Sequence, residues 1–359
     1  MKSKYAILVL FFTVAAFIGC GPSYDEMKRQ TRAEQERLRK ADSMALKVGV
    51  LPTLDCLPIY VAKENAMFDT VKADIRLVQY MAQIDCDEAL KRGRIEGCVT
   101  DVVRGQHMKA QGMTLDYVAA TNAYWQLISN RLARIRRLKQ LDDKMLAMTR
   151  FSATALLADY AVDSVKIDPD MVFKIQINDV ALRLQMLLNN DMDAILLPEP
   201  QATTARLYKN PVLMDSRDKD MQLGVIAFNG KTMKDERRQK QLKEFVKGYD
   251  AACDSINKHG LKRYAAVIRK YYKIDDKTLD ALPKMKFEHA KAPRQKDIDT
   301  ACLEDKIFPI HIRQRNLLNL FIHCHNHNNR IWPRDLPCSL KCCSLTLKLH
   351  PCKAYSCLQ

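Results

Sequence analysis

The chain of 359 residues is 47% apolar and 28% charged, which is typical of a globular protein and excludes a disordered or fibrous chain. Its net charge of +16 would suit a nucleic-acid-binding protein, but no basic stripe interleaved with aromatic residues occurs. Much of the excess lies at the two ends, with +2 in residues 1–20 and +7 in residues 306–359. We therefore expect no nucleic-acid partner.

The N-terminal segment predicts export from the cytoplasm. Lys2 and Lys4 precede an apolar run over residues 5–18, which is followed by Gly19 and Cys20. This run is too short to span a bilayer core of roughly 30 Å comfortably as a helix, so a signal peptide over residues 1–20 is favoured over a permanent anchor. A small residue and a cysteine after such a run resemble a bacterial lipobox, which implies a lipid on Cys20. The alternative is an ordinary secretory signal.

The body of the chain alternates between strand-like and helical patterns. Residues 21–45 predict a charged helical tether. The strands predicted after it are 46–52, 74–80, 97–103, 115–121, 124–130, 144–150, 172–177, 193–198 and 221–229, and the predicted helices are 57–68, 86–95, 152–164, 180–190, 234–257, 260–271 and 276–282. Strands separated by helices of about ten residues indicate βαβ units and parallel sheets.

The fold class is therefore predicted to be α/β, with two lobes whose sheets are rich in parallel strands. Residues 46–130 and 225–305 form lobe one, and residues 131–224 form lobe two. The chain would cross between the lobes at least twice.

Five motifs in a fixed order carry a resemblance to a known family. They are VGVLPTLDCLPIYVAKENAMFD (48–69), RIEGCVTDVV (94–103), MTRFSATALLADYAV (148–162), MDAILLPEPQATTA (192–205) and LGVIAFNGKTMKDERRQKQLKEFVKGYDAACDSIN (223–257). Over residues 46–303 the chain resembles the periplasmic binding proteins that serve the import of nitrate, sulfonates, taurine and thiamine precursors.

The resemblance implies a type II-like receptor without a cofactor or catalytic activity, whose two lobes close on a small solute. Its implied partners are the permease and ATPase subunits of an ABC transporter. Its implied place is the cell envelope, where a lipid on Cys20 would anchor it to the membrane, facing the periplasm or the cell exterior.

The candidate ligand-binding residues follow predicted strands, because ligands of open α/β sheets bind beyond the carboxyl ends of strands, where helices begin. Helix capping is the structural alternative for most of them, and packing at the hinge is the alternative for the aromatic residue. The candidates are Thr53, Asp55, Thr100, Asp101, Asn122, Trp125, Ser152, Thr154, Asn178, Glu199 and Gln201.

Glu199 has an unusual setting between two prolines. Pro198 ends the preceding strand, and Pro200 suits the first turn of a helix, where a missing N–H costs nothing. Two interpretations stay open: the Glu199 carboxylate faces the cleft, or it caps the helix that follows.

The candidates include three acids, while the sequence does not fix the direction of the nearest arginines, Arg104, Arg150 and Arg183. This balance favours a ligand with hydrogen-bond donors, such as an aminopyrimidine, over a sulfonate or nitrate. The alternative function is an enzyme of the same fold, similar to the thiamine-pyrimidine synthases, which use iron and consume their own histidine. The body holds only His107, His259 and His289, none beside a cleft motif, so we expect no enzyme.

The C-terminal segment differs in composition from the rest of the chain. Residues 306–359 hold six of the twelve cysteines and five of the eight histidines. The family would continue with a Trp-containing helix, so we expect this tail to be out of frame or disordered. The alternative is a metal-binding extension, since cysteine and histidine are natural ligands of zinc and copper, although the spacings match no known zinc module. The scattered body cysteines suggest neither a disulfide framework nor a metal site.

Overall fold

The computed structural model describes residues 24–302. The strands in this range are β1 (Leu46–Val50), β2 (Ile75–Gln79), β3 (Gly97–Asp101), β4 (Leu115–Ala120), β5 (Trp125–Ser129), β6 (Lys144–Met148), β7 (Val172–Gln176), β8 (Ala194–Pro198), β9 (Val212–Asp215) and β10 (Gly224–Asn229). The helices are α1 (Tyr24–Met44), α2 (Leu57–Glu64), α3 (Gln83–Lys91), α4 (Val102–Ala110), α5 (Ala153–Ser164), α6 (Val180–Leu188), α7 (Gln201–Leu207), α8 (Glu236–His259), α9 (Ala265–Tyr272) and α10 (Asp276–Ala281), with a further helical stretch from residue 295.

The strands form two sheets of five, which confirms the predicted α/β class. The sheet of lobe one has the order β2-β1-β3-β10-β4, and the sheet of lobe two has the order β7-β6-β8-β5-β9. Four of the five strands in each sheet run in the same direction, as predicted, but each sheet is mixed, with two parallel and two antiparallel neighbour pairs. The reason is that β5 and β10, the first strands after each crossing between lobes, run antiparallel to both neighbours.

The lobe boundary also differs from the predicted one. β5 pairs with β8 and β9, beginning with Trp125 opposite Pro198, so lobe two begins at residue 125 rather than 131. The first crossover is therefore residues 121–124, and the second is residues 216–223. The sequence of an apolar strand does not show which sheet contains it. Only its pairing with neighbouring strands assigns it to a lobe.

Apolar clusters fill both lobes and also join them. Tyr60, Phe228 and Phe245 are fully buried in the largest cluster, which belongs to lobe one. A second cluster packs Val102 and Val225 of lobe one against lobe-two residues such as Leu127, Leu146 and Leu157. Because this cluster draws on both lobes, apolar burial contributes to holding them together.

The N-terminal end of the described chain is a solvated helix. The described side chains of α1 are exposed, and the helix ends where the Met44 carbonyl accepts hydrogen bonds from Arg238 and Gln241. No helix within residues 24–302 is long and apolar enough to cross a membrane. The predicted leader with Cys20 and the predicted tail over 306–359 lie outside the described residues.

Candidate functional site

A cavity of about 60 Å³ lies between the lobes, at the ends of β1 and β3 on one side and of β6, β7 and β8 on the other. Eight of the eleven predicted site residues line it: Thr53, Asp55, Thr100, Asp101, Trp125, Ser152, Thr154 and Asn178. The carboxyl ends of strands from both sheets therefore meet where the topology predicts a ligand site.

Two buried polar groups at this cavity have no hydrogen-bond partner among the described residues. They are the Thr100 hydroxyl of lobe one and the Arg183 Nε of lobe two, in side chains that are 6% and 3% exposed. Arg183 donates from Nη1 to the Leu196 carbonyl at 2.7 Å, and burial lowers its pKa to about 10. Since buried polar groups are normally paired, both point to a partner that is not part of the described chain.

The second arginine at the cavity, Arg104, is already neutralised. Its guanidinium donates to Asp87 from Nε at 2.5 Å, and both side chains are buried. Its Nη1 also reaches across the cleft to the Arg150 carbonyl at 3.2 Å. Arg104 therefore contributes a contact between the lobes rather than an unpaired positive charge.

Two carboxylates face the cavity from lobe one. Asp101 caps α4 by accepting from the Arg104 backbone N–H at 2.9 Å, and it also interacts with the Ala153 backbone N–H of lobe two. Burial raises the pKa of Asp101 to about 6. Asp55 accepts from the Thr121 hydroxyl at 3.1 Å, and burial raises its pKa as well.

The hydroxyl groups at the start of α5 are used locally. Ser152 caps the helix by accepting from the Thr154 backbone N–H at 3.1 Å, and it donates to the Thr149 carbonyl at 2.6 Å. The Thr154 hydroxyl accepts from the Thr149 backbone N–H at 2.9 Å. Both side chains line the cavity, but the capping interpretation explains their hydrogen bonds without a ligand.

The remaining cavity candidates have simple surroundings. Asn178 does not cap α6, because Asp179 takes that position and accepts from the N–H groups of Ala181 and Leu182. Trp125 is half-buried and forms part of the wall as the first residue of β5.

The structure does not bring Glu199 and Gln201 to the cavity. The Glu199 carboxylate is buried and accepts from the Tyr124 hydroxyl at 2.8 Å, from Arg206 at 2.8 Å and from the Thr203 hydroxyl at 2.6 Å. Gln201 donates from Nε2 to the Pro52 carbonyl of lobe one at 2.9 Å. Their side chains therefore serve internal contacts.

Asn122 lines a different cavity, of about 300 Å³, beside the two crossovers. Its walls include Tyr124, Arg217 and Met285, and the Arg217 guanidinium lies 3.9 Å from the Tyr124 ring centre. This cavity is larger and has an unpartnered buried atom of its own, Asn122 Oδ1, but its residues come mainly from the crossovers and its arginine, Arg217, is paired with Asp215. We therefore place the candidate site in the smaller cavity.

Further residues line the site that the sequence did not single out as candidates: Gln83, Arg104, Thr149 and Arg183. Thr149 directly follows β6 and could have been found by the strand-end rule. The arginines could not, because each lies inside a helix and only packing decides which way its side chain points. Within residues 24–302, no group of three or more His, Cys, Asp or Glu side chains is arranged to hold a metal ion.

Comparison with known proteins identifies the fold. No family model and no curated protein matches the sequence of the chain. Among solved structures, the ligand-binding component of an ABC-type import system from Staphylococcus aureus, with zinc bound, has a TM-score of 0.62 at 18% identity and covers 73% of this chain and 92% of that one. The alkanesulfonate-binding protein from Xanthomonas axonopodis pv. citri, bound to MOPS, has a TM-score of 0.62 at 13% identity, with coverages of 74% and 92%.

A third similar structure is the periplasmic nitrate-binding protein from Synechocystis, with a TM-score of 0.57 at 14% identity and coverages of 66% and 68%. The chain thus has the fold of the periplasmic binding proteins. The fold that the five sequence motifs implied is confirmed.

Proposed function

We propose that the chain is the solute-binding component of an ABC import system. In this proposal a small solute with oxygen acceptors binds between Thr100 of lobe one and Arg183 of lobe two. The observation that carries the proposal is that the two residues with these unpartnered polar groups line one cavity from opposite lobes. The similar solved structures, which include sulfonate- and nitrate-binding proteins, support the same class of solute.

The guanidinium of Arg183 favours an anionic group on the solute, although Asp55 and Asp101 face the same cavity with the opposite charge. Within residues 24–302, Arg183 makes no hydrogen bond to a carboxylate, whereas Arg104 is paired with Asp87. A buried guanidinium binds oxyanions well because its N–H groups match their geometry. This direction of Arg183 reverses the preference for an aminopyrimidine that the acidic candidates suggested, and the aminopyrimidine becomes the alternative to test.

The size of the cavity favours a small solute. A volume of about 60 Å³ has room for about four water-sized groups, at roughly 15 Å³ of accessible volume each. Nitrate and methanesulfonate are of this size. A larger solute would require the lobes to stand further apart.

Closure follows from contact with both lobes. A solute that bonds Thr100 and Arg183 together interacts more strongly with the closed arrangement than with an open one, so it shifts the population toward closure. In this proposal the closed receptor passes its solute to the permease and ATPase subunits of the transporter. It does so at the cell envelope, held by a lipid on Cys20.

The test uses the purified full chain and measures its thermal stability with methanesulfonate, nitrate and an aminopyrimidine. At about 100 times the Kd a solute should add about 2.7 kcal/mol of stability. Arg183→Gln should abolish the effect of the oxyanions, while Arg217→Gln, outside the cavity, should keep it. Stabilisation by the aminopyrimidine alone would contradict the proposed site. So would an Arg183→Gln variant that the oxyanions still stabilise as much as the parent.

A further inference from the structure

Among the described residues, Glu199 and Gln201 after β8 make two direct hydrogen bonds to the other lobe, and further along α7 the Thr204 hydroxyl pairs with the Thr278 hydroxyl of lobe one at 3.3 Å. The Leu54 backbone N–H of lobe one donates to the Glu199 carbonyl of lobe two at 2.8 Å. Gln201 of lobe two donates from Nε2 to the Pro52 carbonyl of lobe one at 2.9 Å. These bonds stand on either side of Thr53, which lines the cavity, so they form along its edge.

The lobe-two side of this contact is held firmly. The Glu199 carboxylate is 3% exposed and bonds Tyr124 in the first crossover as well as Thr203 and Arg206 around α7. Each carboxylate oxygen therefore has a partner, and the main chain of Glu199 cannot turn easily. Of the two interpretations that the sequence left open for Glu199, the contacts match the cap: its carboxylate accepts from the Thr203 backbone N–H at 2.9 Å, and it thereby also fixes the carbonyl that meets Leu54.

We propose that Pro198–Gln201 is a closure clip, which holds lobe two against Pro52–Leu54 of lobe one and slows the opening of the cleft. The clip needs no solute, because both of its hydrogen bonds are made within the chain. Its consequence for solute release rests on the proposed function, whereas its effect on opening does not.

Gln201 is the residue of the clip that side-chain substitution can probe. It is 7% exposed, and its Oε1 is buried without a partner among the described residues, so the bond to Pro52 is the one that its amide makes. Gln201→Glu keeps the shape of the side chain but places a carboxylate oxygen against the Pro52 carbonyl. The clip then loses a donor and gains a repulsion.

The measurement is hydrogen exchange at the Leu54 amide in the full chain, without added solute. This amide donates across the cleft, so its exchange reports the opening of the clip. Gln201→Ala should speed its exchange on the order of five-fold, as the loss of one hydrogen bond implies. Gln201→Glu should speed it further.

The matched control is Gln241→Ala. Gln241 is 5% exposed and donates from Nε2 to the Met44 carbonyl at the end of α1 at 2.9 Å, a bond of the same kind that does not cross the cleft, and its Oε1 accepts from Arg238 at 3.0 Å. This variant should leave Leu54 exchange within about two-fold of the parent, on the same energetic scale. Equal acceleration in Gln201→Ala and Gln241→Ala, or none in either Gln201 variant, would overturn the clip.

The clip also predicts how solute leaves. With methanesulfonate as the probe, Gln201→Ala should raise the dissociation rate about five-fold, and it should also raise the association rate, because the cleft of the solute-free chain opens more readily. If the parent binds neither methanesulfonate nor nitrate, the proposed function fails while the exchange result still decides the clip. Circular dichroism of each variant shows whether it is folded, and Gln201→Glu serves if Gln201→Ala is not.

Discussion

Two buried threonines of the described chain differ in what their hydroxyl groups bond. Thr203 is 1% exposed and donates to Glu199 at 2.6 Å, whereas Thr100 is 6% exposed and its hydroxyl has no partner among the described residues. A buried polar group without a partner destabilises the fold. Such a group is expected where function, rather than stability, has set the residue type.

Valine at position 100 should therefore separate stability from binding. Thr100→Val removes an unpaired hydroxyl and keeps the shape, so we expect unfolding free energy to stay equal or rise by about 1 kcal/mol. Thr203→Val leaves Glu199 short of a donor and should lower stability by about 1–3 kcal/mol. Urea unfolding checks both, and oxyanion binding should weaken in Thr100→Val. A loss of stability in Thr100→Val as large as in Thr203→Val would contradict this view.

Asp101 makes stability depend on pH. Its pKa is raised by burial from 3.8 to about 6, with Arg104 opposing the shift and Asp87 adding to it. The native chain therefore holds this proton more tightly than the unfolded chain, and Asp101 disfavours folding once the pH exceeds the unfolded pKa of 3.8. The contribution of Asp101 to the free energy of unfolding falls as the pH rises from about 4 to about 6, and it is constant above that range.

Asp101→Asn should accordingly be more stable than the parent at pH 7.5, by about 2–3 kcal/mol on the scale of 1.36 kcal/mol per pKa unit. The difference should vanish near pH 4. Asp235→Asn is the opposing control, because Asp235 caps α8 on the surface with a lowered pKa and should lose stability at pH 7.5. Chemical unfolding at both pH values checks the sign, and a difference that does not change with pH would refute it.

Thr100 and Asp101 could be predicted as site residues from the sequence, because they lie at the carboxyl end of a strand, where ligands bind in this kind of sheet. The sequence could not supply Arg183, because a helical arginine can point to solvent or inward. Nor could it place Gln201, whose partner Pro52 lies 149 positions away in the chain. A position at a strand end can be predicted from the sequence. The direction of a side chain cannot, because packing between the lobes decides it.

At the scale of elements, α4 contains a glycine whose role is close approach rather than flexibility. A Cβ on Gly105 would overlap the hydroxyl of Tyr117 in lobe one and lie 2.8 Å from its Cε1. Alanine within a helix normally adds about 1 kcal/mol over glycine. Here we expect the overlap to dominate, because excess volume in a packed core costs about 1–3 kcal/mol.

Gly105→Ala should therefore lower the unfolding free energy by about 1–2 kcal/mol, although it raises helix propensity. Tyr117→Phe removes the overlapping oxygen and should recover part of this loss in the double variant, which a double-mutant cycle measures. An increase in stability for Gly105→Ala alone would show that the helix shifts freely from β4. Additive effects would show that Tyr117 is not the obstacle.

A strand could be predicted from the sequence where a run of apolar residues was sufficient to identify it. The nine predicted strands correspond to β1 through β8 and β10, while β9 was missed because it is a four-residue edge strand after Pro211. The sequence could not predict which lobe contains β5, because Trp125–Ser129 is a mostly apolar strand that would fit either sheet. Pairing with β8 settles it, and that contact is distant in sequence.

At the scale of the whole molecule, a third segment joins the crossovers. Residues 283–294 run along lobe one, where Ala120 donates to the Lys291 carbonyl at 2.6 Å, and reach Asp220 in the second crossover through Arg294. Beyond them, Ile298 and Ala301 pack on the cluster shared by both lobes. This segment therefore ties the hinge together from outside the cleft.

Arg294 is the residue that fastens this segment. It donates to Asp297 at 2.6 Å and to Asp220 at 2.6 Å, and Asp297 is 3% exposed. Removing one partner of a buried pair leaves an uncompensated charge. Because Arg294 itself is half-buried, we expect Arg294→Ala to cost about 1–3 kcal/mol of stability, less than a fully buried pair would.

Two variants decide whether the loss comes from the buried carboxylate. Lys296 pairs with Asp220 on the surface, so Lys296→Ala should cost less than about 0.5 kcal/mol. Adding Asp297→Asn to Arg294→Ala neutralises the stranded charge and should restore much of the stability. Hydrogen exchange over residues 216–223 should rise in Arg294→Ala and not in Lys296→Ala, because only the former releases the segment from the crossover. Equal exchange in the two variants would mean that the hinge is held by its apolar cluster and not by this ion pair.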